Sequence, residues 1–183
     1  MKRYFLLSLF LLNITVISNV HAEKADSDKP TEVVADQMTY EDVKQVNTFT
    51  GNVVLTRGTL LMKANKVVLT QSPDGFQTAV MTAAPGGLAT FRQKRDGGPN
   101  LWMDGEAERI EYDSKAELIK LFSKAKMRRL EGTKPTDEVE GEFISYDTRA
   151  EFVAVNNTAA GNKAGAGRVK VVIQPRKEAQ GSK

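Results

Sequence analysis

The sequence has no cysteine and a single histidine, His21. Cysteine nucleophiles, Ser-His-Asp triads and most zinc sites need a thiol or an imidazole, so these sites are excluded if His21 is removed with a leader. The lack of cysteine also excludes disulfide bonds, so the fold must be held by its core. Acidic residues recur at Asp36, Glu108 and Glu142, but no nucleophile with an activating base accompanies them. The sequence therefore predicts neither an enzyme, nor a metal site, nor a cofactor.

Aromatic residues and excess charge are also scarce. Aromatics make up 7% of the chain, and Trp102 is the one tryptophan. The net charge is +3, and removing Lys2 and Arg3 leaves 24 basic against 23 acidic side chains. The remaining basic excess lies near the C-terminus, in residues 168–183. No basic patch indicates nucleic-acid binding, and few aromatic faces are available for stacking on sugars.

The first 22 residues have the features of a secretory signal peptide. Lys2 and Arg3 form a short basic region, residues 4–17 are apolar, and Val20 and Ala22 are the small residues that signal peptidase requires. We therefore expect cleavage after Ala22 and export of residues 23–183. The alternative, an uncleaved anchor, is less favoured because the apolar run is short for a membrane span.

Beyond this leader the chain alternates apolar and polar residues with a period of two. In residues 46–56, Phe49, Val53 and Leu55 share one parity with Gly51, while threonines occupy much of the other. Such alternation predicts strands with one buried face. Turn sequences at 72–75 and 84–87 separate these runs, and residues 131–136 are predicted to be a Gly/Pro loop.

About a dozen such strands predict an all-β, antiparallel fold. We expect one domain over residues 31–175, preceded by a disordered lead-in at 23–30 and followed by a flexible basic tail at 176–183.

One stretch of the chain, residues 35–55, recurs 72 residues later. Ala107 corresponds to Ala35, Tyr112 to Tyr40, and the shorter first half of the pattern also begins at residues 64 and 141. Self-similarity at this spacing indicates stacked structural units that bury their apolar faces on their neighbours. The pattern predicts stacked hairpin repeats in a sheet that is open at both ends.

The recurring residues resemble the OstA-like repeat family. The resemblance rests on A-D-x-x-x-Y at 35–40, F-T-G-N-V-V-L-T-R-G at 49–58 and A-N-K-V-V-L-T at 64–70. It is densest over residues 33–70 and weaker over 101–155, where the Gly-Asn pair of the first copy is missing.

This resemblance implies a twisted β-jelly-roll in the periplasm that carries lipopolysaccharide from the inner to the outer membrane. It implies an apolar groove for the acyl chains of lipid A. It also implies head-to-tail self-association, with an LptC-like inner-membrane protein at the N-terminal edge and an LptD-like outer-membrane protein at the C-terminal edge. The alternative function is a periplasmic or outer-membrane all-β carbohydrate-binding or structural module.

The apolar parity of the strands could form either a dry core or a lipid groove. The residues alone favour a core, whereas the resemblance favours a groove. The expected groove residues share that parity: Val33, Met38, Tyr40, Phe49, Val53, Leu55, Leu60, Met62, Val67, Leu69, Phe91, Met103, Ile110, Tyr112, Leu121, Met127, Ile144 and Tyr146.

Two further sets of residues are expected at the surface. The partner edges are expected at the terminal strands, at Thr31, Val33, Val169, Val171 and Ile173. Basic residues that flank the strands could meet lipid phosphates or could be ordinary solvated charges: Lys63, Lys66, Arg92, Lys94, Arg95, Lys124, Lys126, Arg128 and Arg129.

Overall fold

The computed structural model describes Asp26, residues 28–157 and residues 168–175. The predicted signal peptide and the predicted basic tail lie outside these residues. Across the described part of the chain, no helix has the length and apolar character needed to span a membrane.

The regular elements in the described residues are twelve strands, joined into one antiparallel sheet. They are β1 (Thr31–Val34), β2 (Gln37–Glu41), β3 (Val46–Arg57), β4 (Leu60–Gln71), β5 (Gln77–Thr82), β6 (Ala89–Lys94), β7 (Leu101–Ala107), β8 (Arg109–Asp113), β9 (Leu118–Glu131), β10 (Lys134–Asp147), β11 (Phe152–Asn156) and β12 (Lys170–Ile173).

This architecture confirms the predicted all-β antiparallel fold. One local prediction is wrong, because residues 131–136 are not a loop throughout. Strand β10 already begins at Lys134, and Pro135 lies opposite Leu130 of β9. The sheet tolerates the proline beside an irregularity, since the register shifts between Pro135 and Asp137.

Four long strands divide the sheet into two halves. Strands β3, β4, β9 and β10 have 12 to 14 residues each and pass through both halves. Half-sheet I has the order β2-β3-β4-β5-β8-β9-β10-β11. Half-sheet II has the order β1-β3-β4-β6-β7-β9-β10-β12. Each half therefore contains eight strands, and its edges are β2 and β11 in half-sheet I and β1 and β12 in half-sheet II.

The long strands bend along a line that we call the crease, formed by residues 51–52, 64–66, 123–124 and 141–143. The register of β3 and β4 shifts between Thr50 and Val53. At this bend Gly51 and Asn52 have φ angles of 79° and 47°. Seventy-two residues later, Ser123 and Lys124 have φ angles of 62° and 54°. The second repeat therefore adopts the same left-handed backbone without the Gly-Asn pair, at a steric cost that glycine would avoid.

The residues that begin each copy of the repeat also lie at the crease. The backbone N–H of Asp36 donates to the carbonyl oxygen of Gly51 at 3.0 Å, and that of Glu108 donates to the carbonyl oxygen of Ser123 at the same distance. Just before these residues the chain carries an alanine at positions 35 and 107, and Ala107 is fully buried. A small side chain at position 107 suits the dense packing of this fully buried site.

The apolar faces of the two half-sheets pack on each other as a single core. Phe91 of half-sheet II stacks on Tyr146 of half-sheet I, with ring centroids 6.5 Å apart. The core cluster includes residues from every long strand and from β5, β6, β7 and β8. The molecule is thus a folded-over β-jelly-roll whose interior lies between the two halves.

Asp26 lies within the lead-in predicted for residues 23–30 and contacts the sheet. Its side chain is buried, and its carboxylate accepts hydrogen bonds from the Thr59 backbone N–H at 2.7 Å and from Gln93 Nε2 at 3.3 Å. Gly58 allows this approach, because a Cβ atom there would collide with the Asp26 carboxylate. Asp26 is therefore bound to the fold by polar contacts that its sequence context does not indicate.

Candidate functional site

Strand register aligns the expected groove residues in rows across the interior. One row of half-sheet I crosses all eight strands and consists of Met38, Phe49, Val67, Met81, Ile110, Leu121, Ile144 and Val155. A corresponding row of half-sheet II consists of Val33, Leu55, Met62, Phe91, Gly105, Met127, Val139 and Val171. These two rows are therefore apolar from one sheet edge to the other, and Gly105 makes room in its row for the Phe91 ring.

Most of these residues are fully covered in the structure. Twelve of the eighteen expected groove residues are at most 2% exposed, namely Val53, Leu55, Leu60, Met62, Val67, Phe91, Met103, Ile110, Leu121, Met127, Ile144 and Tyr146. Leu69 is 8% exposed, and Val33, Phe49 and Tyr112 are partly buried against the same core. The same residues therefore form the core of the protein, and a ligand would reach them only if the two half-sheets moved apart.

Two of the expected groove residues are exposed at the N-terminal end. Met38 and Tyr40 are 55% and 49% exposed, because β2 is an edge strand and has no neighbour on its outer side among the described residues. The Tyr40 hydroxyl donates to the Asp42 carboxylate at 2.8 Å. Both residues continue the inner rows, so the interior is open to solvent at this end.

The interior also opens at the C-terminal end. A cleft of about 290 Å³ lies between β12, β11 and the ends of β7, β9 and β10. The expected edge residues Val171 and Ile173 line it and are more than half exposed. The other lining residues are Met103, Met127, Arg129, Asp137, Glu138, Val139 and Val153.

The exposed edge at this end is larger than the sequence indicates. Val169, one of the expected edge residues, is 40% exposed, while Phe152 of β11 is 63% exposed and is not among them. The alternation within residues 152–156 is the signal that could have identified Phe152, because it sets this ring opposite in parity to Val153. At the N-terminal edge, Thr31 and Val33 are partly buried.

Polar contacts join the two half-sheets on the side opposite the crease. We call this side the lip and define it by the contacts of Thr31, Arg57 and Arg95. The Thr31 hydroxyl donates to Gln77 Oε1 at 2.9 Å. Arg57 hydrogen-bonds Tyr112, whose pKa is raised above its usual value because burial disfavours the phenolate. Arg95 forms a short ion pair with Glu151. Each contact links half-sheet II to half-sheet I, so together they close the lip over the apolar interior.

Other basic residues lie on the outer face of half-sheet II, where they pair with carboxylates. Arg128 lies 3.1 Å from Glu106, and Lys126 lies 3.0 Å from both Glu138 and Glu140. Arg92 pairs with Asp104 at 3.5 Å, and Lys170 of β12 with Glu140 at 3.4 Å. Opposite charges thus alternate across five strands, which favours a solvated structural face over an anion site.

Comparisons with known proteins agree with this architecture. Residues 32–152 match the family described as LptA/(LptD N-terminal domain) LPS transport protein. The chain is 37% identical over 106 residues to the lipopolysaccharide export system protein LptA of Haemophilus influenzae, covering 57% of this chain and 60% of that protein. It is also 37% identical over 92 residues to LptA of Escherichia coli K12, covering 50% of this chain and 48% of that protein. The matches therefore span less than two thirds of these relatives.

A solved structure has the same fold. The crystal structure of LptH from Pseudomonas aeruginosa, described as the LptA-homologous periplasmic component of the lipopolysaccharide transport device, superposes with a TM-score of 0.70. The sequence identity is 26%, and the match covers 82% of this chain and 99% of that chain.

Proposed function

The chain belongs to the LptA and LptD N-terminal-domain family of lipopolysaccharide transport proteins, and we propose that it is a periplasmic carrier of lipopolysaccharide. In this proposal residues 1–22 are a signal peptide cleaved after Ala22, and residues 31–175 are the transport domain. The protein acts by binding and transfer, without catalysis. N-terminal sequencing of the protein recovered from the periplasm tests the cleavage site.

The acyl chains are proposed to lie between the two half-sheets. The observation that supports this most directly is the apolar interior, which continues in register across all eight strands of each half. Burying each CH₂ of an acyl chain contributes about 0.8 kcal/mol. The cleft of about 290 Å³ at the C-terminal end is near the lower limit of ligand pockets, roughly 300 Å³. Several chains would therefore require the half-sheets to separate along the lip.

Photo-crosslinking tests this placement. A photoreactive amino acid at Phe91 or Phe49 should label lipopolysaccharide, whereas one at Thr90 should not, because Thr90 has the opposite parity on β6. Equal labelling at positions 90 and 91 would refute the assignment of the groove.

The open edges are proposed to bind other proteins by strand addition. At the N-terminal edge Thr31 and Val33 would pair with an LptC-like protein, and at the C-terminal edge Val169, Val171 and Ile173 would pair with an LptD-like protein. Unpaired edge strands carry free backbone donors and acceptors, and a head-to-tail pairing of such edges does not close on itself. Self-association should therefore produce concentration-dependent chains of molecules.

Two single-proline variants test the edges together. Val171→Pro should block the C-terminal edge, and Val33→Pro should block the N-terminal edge, because the backbone N–H groups of these two residues point away from β10 and β3 and proline removes them. Each variant alone should sediment as a monomer, whereas an equimolar mixture should form a dimer through the two intact edges. A mixture that remains monomeric while the wild type associates would refute head-to-tail pairing.

A further inference from the structure

Arg129 interrupts the apolar face of the interior. It follows Met127 on the same parity of β9, and its register partners Met103 and Asp137 continue that row. Its repeat counterpart 72 residues earlier is Arg57, at the corresponding end of β3. The Arg129 side chain keeps 37% of its surface exposed, so its charge remains in contact with solvent at the open end of the interior. Arg129 Nη1 lies 3.8 Å from the Asp137 carboxylate, too far for a strong hydrogen bond.

Arg129 and Asp137 also connect two clefts. Both residues line the apolar cleft of about 290 Å³ at the C-terminal end and a second, polar cleft of about 590 Å³ beside it at the lip. The polar cleft is lined by Arg95, Arg129, Glu131, Lys134, Pro135, Thr136, Asp137, Gln174 and Pro175. An apolar and a polar cleft that share a wall suit a ligand with an acyl chain and a charged head group.

Arg95 reaches the same polar cleft from half-sheet II. One of its terminal nitrogens pairs with Glu151, but among the described residues its buried Nε atom has no hydrogen-bond partner. A guanidinium group can bind a phosphate through two parallel hydrogen bonds. Within the described residues, Arg95 uses one terminal nitrogen for Glu151, and its Nε donor is left for such a bond. Glu151 belongs to the turn before β11, so this pair also holds the lip closed.

We propose that Arg95 and Arg129 bind a phosphate group of the lipid carried in the interior, with Lys134 contributing positive charge. The inference rests on the proposed function, since it assigns the head-group site of the same ligand. In the closed protein Glu151 pairs with the guanidinium group of Arg95, while Asp137 lies 3.8 Å from that of Arg129. A phosphate that displaces Glu151 from Arg95 also releases the contact between the half-sheets, so binding of the head group favours opening of the lip.

The test compares two lipids and inorganic phosphate. Binding of bisphosphorylated lipid A and of the same lipid A after phosphatase treatment is measured on the full chain. The wild type should bind the phosphorylated form about tenfold more tightly, as expected for one lost charge-assisted contact. Arg129→Gln and Arg95→Gln should each lose most of this preference without weaker binding of the dephosphorylated lipid.

Matched variants distinguish a binding role from a structural one. Arg128→Gln is the control, because Arg128 is the neighbour of Arg129 on the opposite face of β9, and its preference should remain that of the wild type. Glu151→Gln should strengthen binding of the phosphorylated lipid, since it removes the competitor of the phosphate but keeps Arg95. If the pair served only to hold the lip closed, Glu151→Gln and Arg95→Gln would shift binding in the same direction, and that result would overturn the proposal.

The remaining outcomes are also decisive. Competition by millimolar inorganic phosphate would show that the site recognises phosphate itself, and a preference that persists in its presence would show recognition of phosphate only on the lipid. Both results support the proposal. Equal binding of the two lipids by the wild type overturns it while the proposed function stands. Binding of neither lipid refutes the proposed function and this inference together.

Discussion

Replacing Gly51 by alanine should destabilise the crease in a measurable way. Gly51 has a φ angle of 79°, where an L-residue costs about 1–2 kcal/mol. A Cβ atom at this position would also collide with the Asp36 carboxylate. Asp36 would have to move and give up its 2.9 Å hydrogen bond from Asn52, which is worth roughly 0.5–1 kcal/mol at an exposed site.

The lower entropy of the unfolded alanine chain offsets about 0.5 kcal/mol of this cost. The net loss should be about 2 kcal/mol in the free energy of unfolding. For a domain of this size that corresponds to a fall of roughly 4–8 °C in Tm.

The second repeat provides the reverse experiment. Ser123 has nearly the same backbone conformation without being glycine, with a φ angle of 62°. Ser123→Gly should therefore stabilise the protein, by about 0.5 kcal/mol after the entropy of glycine is subtracted. The two variants should thus have opposite signs at equivalent positions of the repeat.

Thermal and urea denaturation of the mature protein measure both effects. Gly75→Ala is the control for backbone strain alone, because Gly75 has a φ angle of 85° but no atom lies within 4 Å of the place that a Cβ would take. Gly51→Ala should lower the free energy of unfolding more than Gly75→Ala does, because only the alanine at position 51 collides with Asp36. Equal losses at the two glycines, or a loss of stability in Ser123→Gly, would refute the account of the crease.

Three further predictions follow from other parts of the fold. Gly105→Ala should cost about 1–3 kcal/mol by denaturation, because its Cβ would push the Phe91 ring out of place; an unchanged Tm would contradict this packing. The pKa of Glu140 is lowered from 4.5 by its hydrogen bond with Lys126 and then with Lys170. The contribution of Glu140 to stability is therefore present above pH 4.5 and lost as the pH falls through the lower folded-state pKa. The protection factors of the β12 amides, which correct for the intrinsic exchange rate, should thus fall on acidification, and less so in Glu140→Gln. Deletion of residues 176–183 should leave Tm within about 2 °C, since we predict a tail that buries nothing; a larger fall would show that it docks.

Much of the architecture could be predicted because the information is local. Period-two alternation identified the strands, and the 72-residue repeat identified equivalent units. The sequence did not show that β3, β4, β9 and β10 bend and serve both half-sheets. Ser123 and Lys124 explain the difficulty, because neither residue type indicates a left-handed backbone, which here is imposed by the neighbouring strands.

For the candidate site, alternation in the sequence indicates which side chains share a face of a strand, but not how deeply each one is buried. Alternation sets Met38 and Met62 on the apolar parity of their strands, yet only the strand order shows that Met38 lies on an edge strand and is exposed. The position of Arg129 was hidden for a related reason. In the sequence it resembles Arg128, and the two can be distinguished only when the inward face of β9 is known.

The eight strands of each half-sheet have a consequence for distance. Neighbouring strands lie about 4.8 Å apart, so one molecule extends roughly 34 Å from its first edge strand to its last, and with the spacing to a paired neighbour it accounts for roughly 38 Å. One 72-residue repeat supplies four strands to each half, or roughly 19 Å of this extent. The length of the protein along this direction is therefore set by its number of strands. If molecules pair edge to edge as proposed, the assembly lengthens only by whole molecules, and an intermediate length requires a change in twist or tilt.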